Sequence, residues 1–398
     1  MSLKHKIYIF LNLFYNKNQN LKKILFFTNI FPHYRFAIWK KLIGSNKFML
    51  DIYFSPSNPL GIPTPDLNNL FDNQERTKFH FLKNYWLNKK ILIWQSEVLR
   101  LTAFSKFDYV MLLGEMYIIS SWIACLIAKI RGKKIYMWSH GLYGNESFIK
   151  KHIRLTFLKL ADVIFLYENR AKKLLVKNGF DESTIDVVYN SLDFDTHQKH
   201  YHNLKKEDSA KFTKLFEDES LPKILFIGRI TEKKKIDLLI KAIAKLNQIN
   251  ISYNLLVVGD GENIEFYKDS NKQFINSGWL NFYGKSYNTE ETGQLIYNSD
   301  LCVSPGNIGL TAIHCLSYGT PVASHSNYKN QMPEVEAIID GKNGFLFIEN
   351  DHVDLANKIN LWFSKKHKLN RDEIRKIVIE KYNPDNQLAI FTKRFING

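Results

Sequence analysis

A short, almost wholly apolar run followed by a helical pattern recurs along this chain, and that alternation narrows the fold more than any other feature. In the first half the runs are KKILFF (22–27), MLDIYF (49–54), KFHFL (78–82), DYVMLL (108–113), KKIYMW (133–138), ADVIFL (161–166) and IDVVYN (185–190). In the second half they are PKILFIG (222–228), NLLVVGDG (254–261), WLNFYG (279–284), DLCVSPG (300–306), TPVAS (320–324) and GFLFI (344–348). Unbroken apolar runs of this length mark strands covered on both faces, as in a parallel sheet. The intervening FAIWKKLIG and RAKKLLVKNGF read as helices, the second ending on a glycine C-cap. The expected fold is therefore α/β, with two consecutive doubly wound, Rossmann-like domains. A chain of 398 residues also exceeds what one hydrophobic core serves. The expected divisions are a first domain at 1–200, a polar linker at 201–221 and a second domain at 222–375. Residues 376–398 form a C-terminal helix able to return to the first domain. No repeat of solenoid length is present. Ligands of such folds bind beyond the carboxyl ends of the strands, so the default site is the cleft between the domains.

Composition closes off several classes. An apolar share of 45% excludes a disordered chain, and 19 Gly with 10 Pro exclude a collagen-like one. Three scattered cysteines, Cys125, Cys302 and Cys315, suit neither a disulfide framework nor a zinc site, and fit a reducing compartment. Two stretches raise the question of a membrane. Ile7 to Tyr15 resembles a signal-peptide core but is short and is followed by NKNQN rather than a small-residue cleavage site. Residues 109–130 have the length of a span, yet Gly114 and Glu115 interrupt them. They read as a strand at 109–113, a loop at 114–117 and a buried helix beginning near Ser120. The net charge of +16 is unevenly placed. Residues 1–200 hold 29 Lys/Arg against 15 Asp/Glu, whereas 201–398 hold 26 against 24. The first half should face something anionic.

Chemistry-bearing residues concentrate where strands end. Gly228-Arg229 leaves the run 223–228, and Lys233-Lys234-Lys235 follows before a helical pattern. An Arg and a Lys five residues apart suit a doubly negative phosphate, the Arg bidentately and the Lys as a point charge; a solvated basic loop is the plainer alternative. Gly259-Asp260-Gly261 follows the next strand, where glycines admit a ligand or simply make a turn. Ser304 to His314 places a glycine-rich turn ahead of a short helix carrying His314, whose N-terminal amides could hold an anion.

The order of these motifs resembles the retaining, nucleotide-sugar-dependent glycosyltransferases of family 4, which have the GT-B fold of two Rossmann-like domains facing across a cleft. GRITEKKKIDLLIKAI, LLVVGDGEN, LNFYGK, LIYNSDLCVSP, GLTAIHCLSYGTPV and EAIIDGKNGFLF follow in the family's order. Asn190 and Asp193 match its Asn-Gly-x-Asp, and the likeness weakens over residues 1–105. The resemblance implies that Arg229 and Lys234 contact the donor's diphosphate. It implies further that Gly228, Gly259, Gly261, Gly284, Gly306, Gly309, Leu310, His314 and Glu336 line the donor site. His140 resembles the family's His at the sugar end, giving Arg229, Lys234 and His140 as catalytic residues. Glu115 and Arg35 are expected on the acceptor side, with helix capping the alternative for Arg35.

One departure is marked. The family's signature helix carries two Glu eight positions apart, and here those places hold Gly306 and His314. His314 could still hydrogen-bond a ribose; Gly306 offers only backbone. Glu334 or Glu336 could supply the missing acid, or serve as helix-start acids. The implied reaction is retaining transfer from a UDP- or GDP-linked sugar to a saccharide or lipid-linked saccharide acceptor, in surface polysaccharide assembly. No cofactor is expected, and no metal, because no Asp-x-Asp pair lies in a donor loop and no His/Cys cluster is present. The basic first domain is expected to rest on the anionic cytoplasmic face of a membrane, leaving the protein cytoplasmic and peripheral. No nucleic acid is expected, since no recognition motif accompanies the charge. A catalytically silent sugar-nucleotide binder, a basic nucleic-acid-binding protein and an epimerase on the same fold are the competing readings.

Overall fold

In a computed structural model, which describes residues 21–56, 64, 66–88, 91–206, 214–248, 250, 252–364 and 370–397, the chain divides into two units. Unit 1 comprises residues up to Val188 together with Pro384 onward, and unit 2 comprises Tyr189–Asn383. The apolar segment Ile7 to Tyr15 lies outside the described residues.

Among the described residues, unit 1 contains nine strands: β1 (Lys23–Phe27), β2 (Met49–Phe54), β3 (Phe79–Phe81), β4 (Asn84–Leu87), β5 (Leu92–Gln95), β6 (Tyr109–Leu113), β7 (Lys134–Ser139), β8 (Val163–Leu166) and β9 (Ile185–Val187). Seven form a parallel sheet in the order β3-β2-β1-β6-β7-β8-β9. Alternate residues of each strand enter separate cores. Ile24, Phe26, Met111, Tyr136, Trp138 and Phe165 face one side, and Leu25, Phe27, Val110, Leu112, Met137 and Ile164 the other. The first face is covered by the helices Phe36–Ile43 and Pro384–Asn397, with Phe391 edge-on to Trp138 at 5.1 Å. The second is covered by Ile119–Ile130, Phe148–Leu158 and Asn169–Lys177. Burial on both faces explains why the strands read as unbroken apolar runs. The remaining β4 and β5 make an antiparallel hairpin that sequence reading did not separate from its surroundings.

Residues 109–130 form the expected strand and helix. Among the described residues, no helix is long and apolar enough to cross a membrane. The helix departs from expectation in one respect. Its small residues Ser120, Ser121, Ala124, Cys125 and Ala128 are buried, while Ile123, Leu126 and Ile130 are exposed.

Unit 2 is built on β10 (Lys223–Ile227), β11 (Asn254–Val258), β12 (Leu280–Gly284), β13 (Leu301–Ser304), β14 (Val322–His325) and β15 (Gly344–Phe347). All pair in parallel, in the order β12-β11-β10-β13-β14-β15. One face packs on Ile236–Leu246 and His352–Ser364, the other on Thr311–Ser317 and Arg371–Glu380. The stretch read as a linker, 201–221, begins inside the helix Phe194–Lys206. Tyr201 is buried in unit 2, where its hydroxyl donates to Asp372 at 2.7 Å and the Arg375 guanidinium lies 3.6 Å over its ring. The polar composition of 197–206 comes from the exposed side of that helix. In both sheets the order reverses beside the first strand, between β1 and β6 and between β10 and β13, which is where such sheets open a crevice at their carboxyl ends.

Candidate active site

In unit 2, three neighbouring strands end on glycines. Gly228 N–H donates to Val258 O at 3.0 Å, and Gly259 N–H donates to Gly284 O at 2.8 Å, so the ends of β10, β11 and β12 lie in line. A side chain on Gly259 would run into Gly228 O, and one on Gly261 into Ile230 O. These two glycines are thus required by loop-to-loop approach within the unit. Gly284, with φ 92°, has no neighbour within 4 Å of its missing Cβ.

Arg229 follows Gly228 at the surface. Lys234 ends the 3-10 turn Glu232–Lys234 and turns back, its Nζ donating to Asn307 O at 2.5 Å. Burial lowers its pKa, and the charge of Glu334 opposes that shift. The Gly306 N–H donates to Lys234 O at 3.1 Å, and a Cβ on Gly306 would collide with Lys233 O. The turn is pinned from its other side. Ile308 N–H donates to Gln331 Oε1 at 2.8 Å, and the Gln331 amide donates to Ser324 Oγ and His325 O, both at 2.9 Å. Leu310 then caps the seven-residue helix Thr311–Ser317. Thr311 Oγ1 donates to Ile227 O at 3.4 Å, and Gly228 adjoins that hydroxyl. Gly228, Lys234, Gly306, Gly309 and Leu310 are therefore brought together.

Glu334 joins them. It is 4% exposed, accepts from Asn190 Nδ2 at 2.8 Å, and places Oε2 3.9 Å from where a Cβ on Gly309 would be. Glu336, two residues on, is half-buried. Asp193 acts elsewhere, accepting from Thr196 Oγ1 at 2.8 Å at the start of the helix Phe194–Lys206.

His314 lies half-buried on the short helix, but its ring is stacked on His197 at 4.7 Å and 23°. Its Nε2 is buried with no hydrogen-bond partner. Desolvation, with His197 as the second cause, pushes its pKa down to about 3; His197 itself, desolvated and beside His200, falls to about 4.

In unit 1 a cavity of about 270 Å³ opens at the carboxyl ends of the sheet. Thr28, Asn29 and Arg35 come from beyond β1, Glu115 from beyond β6, His140 from beyond β7 and Tyr167 from beyond β8, with Trp86 of the hairpin across from them. Arg35, Glu115 and His140 are thus brought together, and sequence reading missed Trp86 and Tyr167. Arg35 makes no side-chain cap. Its guanidinium lies 4.8 Å over Trp138 and 5.2 Å over Tyr167, and donates to the Tyr167 hydroxyl at 2.5 Å. Burial raises the pKa of Glu115, with Arg154 and Arg35 opposing. Burial, then Arg35 and Arg154, push His140 down to about 3, so it is a neutral imidazole. Arg154 was not anticipated; it donates to Gly141 O at 3.0 Å and fixes the turn that carries His140. Among the described residues no three His, Cys, Asp or Glu side chains group as a metal site.

Residues 207–380 match the family model of glycosyl transferases group 1. Over that stretch the chain is similar to the glycosyl transferases of group 1. It is 26% identical over 223 residues to an uncharacterized 41.2 kDa protein in the cps region of Klebsiella pneumoniae, covering 54% of this chain and 57% of that protein. It is 24% identical over 243 residues to the O-antigen biosynthesis glycosyltransferase WbnH of Escherichia coli, covering 59% and 60%. The chain thus spans less than two thirds of the length of these curated relatives. Anabaena Alr3699/HepE, solved in complex with UDP, matches with a TM-score of 0.67 at 14% identity over 95% of this chain and 100% of that one. At that identity the likeness concerns the fold, which is GT-B, as the sequence motifs implied.

Two predictions follow from this geometry. Gly306→Ala must push the Lys233–Lys234 backbone away, so nucleoside diphosphate affinity should fall about tenfold or more if Lys234 binds phosphate; calorimetry showing wild-type affinity would contradict the tight contact. The second concerns acid stability. His197 and His314 bind protons in the unfolded chain below about pH 6.5 but not in the folded one, so folding stability should decline as pH falls from about 6.5 toward 4. His314→Phe should flatten the decline in thermal midpoint over that window, and an unchanged slope would speak against the buried, neutral pair.

Proposed function

We propose that the protein transfers a sugar from a nucleoside diphosphate donor to a saccharide acceptor, with retention of configuration, in the assembly of a surface polysaccharide. The observation that carries this reading is the insertion of Lys234 into the glycine-lined turn 306–309, beside Gly228-Arg229 at the end of β10. A half-buried ammonium there stabilises developing phosphate charge more than it would in water. The bond from the anomeric carbon to the phosphate oxygen breaks, and the acceptor oxygen bonds to that carbon on the same face. The acceptor's hydroxyl proton passes to the departing phosphate. Arg229 and Lys234 neutralise that charge, so a metal ion is not required by the chain. The relatives named for a cps region and for O-antigen biosynthesis support a saccharide acceptor and a polysaccharide product.

The unit 1 cavity is the acceptor site on this reading. The aromatic face of Trp86 suits the apolar side of a sugar ring, and Glu115 and neutral His140 serve its hydroxyls. Arg35, held over Trp138 and Tyr167, contributes a fixed positive charge for any phosphate the acceptor carries. The acceptor is lipid-linked on this reading, and the protein sits at the cytoplasmic face of the membrane. Support comes from unit 1's surface, where Phe104 is 82% exposed, Ile130 86%, Phe148 76% and Ile149 70%, close in sequence to Lys106, Lys129, Lys150 and Lys151. Each Lys or Arg near an anionic leaflet contributes about 1 kcal/mol.

Two measurements test these assignments. Arg229→Ala and Lys234→Ala should each lower turnover about a hundredfold or more, with circular dichroism unchanged; near-wild-type turnover in both would sink the donor-site assignment. Binding to vesicles containing phosphatidylglycerol should be strong at low salt, released by salt, and weakened by Phe148→Glu with Ile149→Glu. Indifference to vesicles at low salt would remove the membrane from the picture.

A further inference from the structure

In the unit 1 cavity two charged side chains lack the partners that their partial burial calls for. Glu115 feels the charges of Arg154 and Arg35, but its carboxylate accepts no hydrogen bond and makes no ion pair among the described residues. Arg35 uses its guanidinium once, toward the Tyr167 hydroxyl, and its Nε is buried with no partner. The two side chains line the same cavity without pairing to each other. Charged groups withdrawn from water are costly unless hydrogen-bonded, so a ligand that satisfies both is favoured.

The wall beside Glu115 is apolar. The loop after β6 turns at 115–118, with Ile118 N–H donating to Glu115 O at 3.0 Å. Ile118 is bridged to Ile93 of β5, whose N–H donates to Tyr117 O at 2.9 Å. Ile93, Leu113 and Ile118 are all buried, and all line the cavity. The site therefore wants a donor for Glu115, an acceptor for Arg35 and a small apolar group. A phosphate or carboxylate held between them would supply acceptors only, and would leave Glu115 facing like charge. A hydroxyl donates and accepts but puts nothing against the isoleucines. A secondary amide ending in a methyl supplies all three. It is planar and trans, so its N–H and C=O point in opposite directions, toward two separate partners. On a sugar this group is an acetamido substituent.

We propose that unit 1 selects an acceptor whose terminal sugar carries an acetamido group. Its N–H is donated to Glu115, its carbonyl accepts from Arg35, and its methyl sits against Ile93, Leu113 and Ile118. The inference rests on the unit 1 cavity being the acceptor site. Glu115 is then a specificity residue, His140 keeps the ring hydroxyls, and Arg35 keeps its charge toward any phosphate elsewhere on the acceptor. A cavity of about 270 Å³ is smaller than the usual pocket for a drug-sized ligand and takes one sugar residue. The discrimination thus falls on the residue that receives the transfer.

The test is a saturation-transfer NMR titration of the full chain with the methyl glycosides of N-acetylglucosamine, N-acetylgalactosamine, glucose, galactose and glucuronic acid. An acetamido glycoside should bind about tenfold or more tightly than its hydroxyl counterpart, with the strongest saturation on its acetyl methyl. Glu115→Ala should abolish that ratio, and Glu115→Gln, whose side-chain carbonyl still accepts, should retain part of it. Arg35→Met should also abolish the ratio, and serves if Glu115→Ala does not fold. Binding without an acetamido preference, a preference for the glucuronide, or a preference untouched by Glu115→Ala and Arg35→Met would overturn the proposal while leaving the acceptor reading intact. A wild type that binds none of the five overturns both.

Discussion

Unit 2 depends on one backbone contact: the main chain of Lys233–Lys234 lies directly against Gly306. It joins the loop leaving β10 to the loop leaving β13, the two strands where the order of the sheet reverses. Because no side chain fits at 306, the Lys234 backbone can accept the Gly306 amide and its ammonium can reach Asn307 O. The position of the cation follows from it. Desolvation of Lys234 is the cost of this arrangement, and the charge of Glu334 offsets it.

Unit 1 reaches a comparable balance with different means. Arg35 lines its cavity and Arg154 holds the turn that carries His140; both act with burial to strip His140 of its proton while limiting the upward shift of Glu115. The result is a site with fixed positive charge, a neutral imidazole and aromatic walls. Such a site discriminates by hydrogen-bond geometry and by stacking, and His140 has no reason to titrate near neutrality. Arg35 is held over Trp138 and Tyr167, which a lysine could not reproduce, because the planar guanidinium both stacks and donates.

Most of the fold was legible in the sequence because burial on both faces leaves an apolar run at the central sheet strands, such as β1, β6, β10, β11 and β13. The hairpin of β4 and β5 was not, since NYWL and LIWQ are half-exposed and alternate instead. The helix Phe194–Lys206 was hidden for a related reason: its exposed side carries the polar residues, and only Tyr201 and His197 mark the buried one. At the candidate site the strand-end glycines and Lys234 could be found by position. Their reasons could not, because Gly259 and Gly261 answer to neighbouring loops that are distant in sequence. The burial of Glu334 beside the turn was likewise closed to a linear reading, because its partner Asn190 lies 144 residues away.

The return of residues 384–397 to unit 1 bears on how the chain is made. Trp138, Phe165 and Tyr136 belong to the face that this helix covers, and they are synthesised well before it. The 195 residues of Tyr189–Asn383 must leave the ribosome in between, which takes roughly 10–40 s at about 5–20 residues per second. Throughout that interval this aromatic face of unit 1 is covered by the helix Phe36–Ile43 without its C-terminal partner, whereas unit 2 holds its whole sequence in one stretch. Unit 2 is therefore free to finish folding first, and the N-terminal half of the chain is the part with most need of a chaperone.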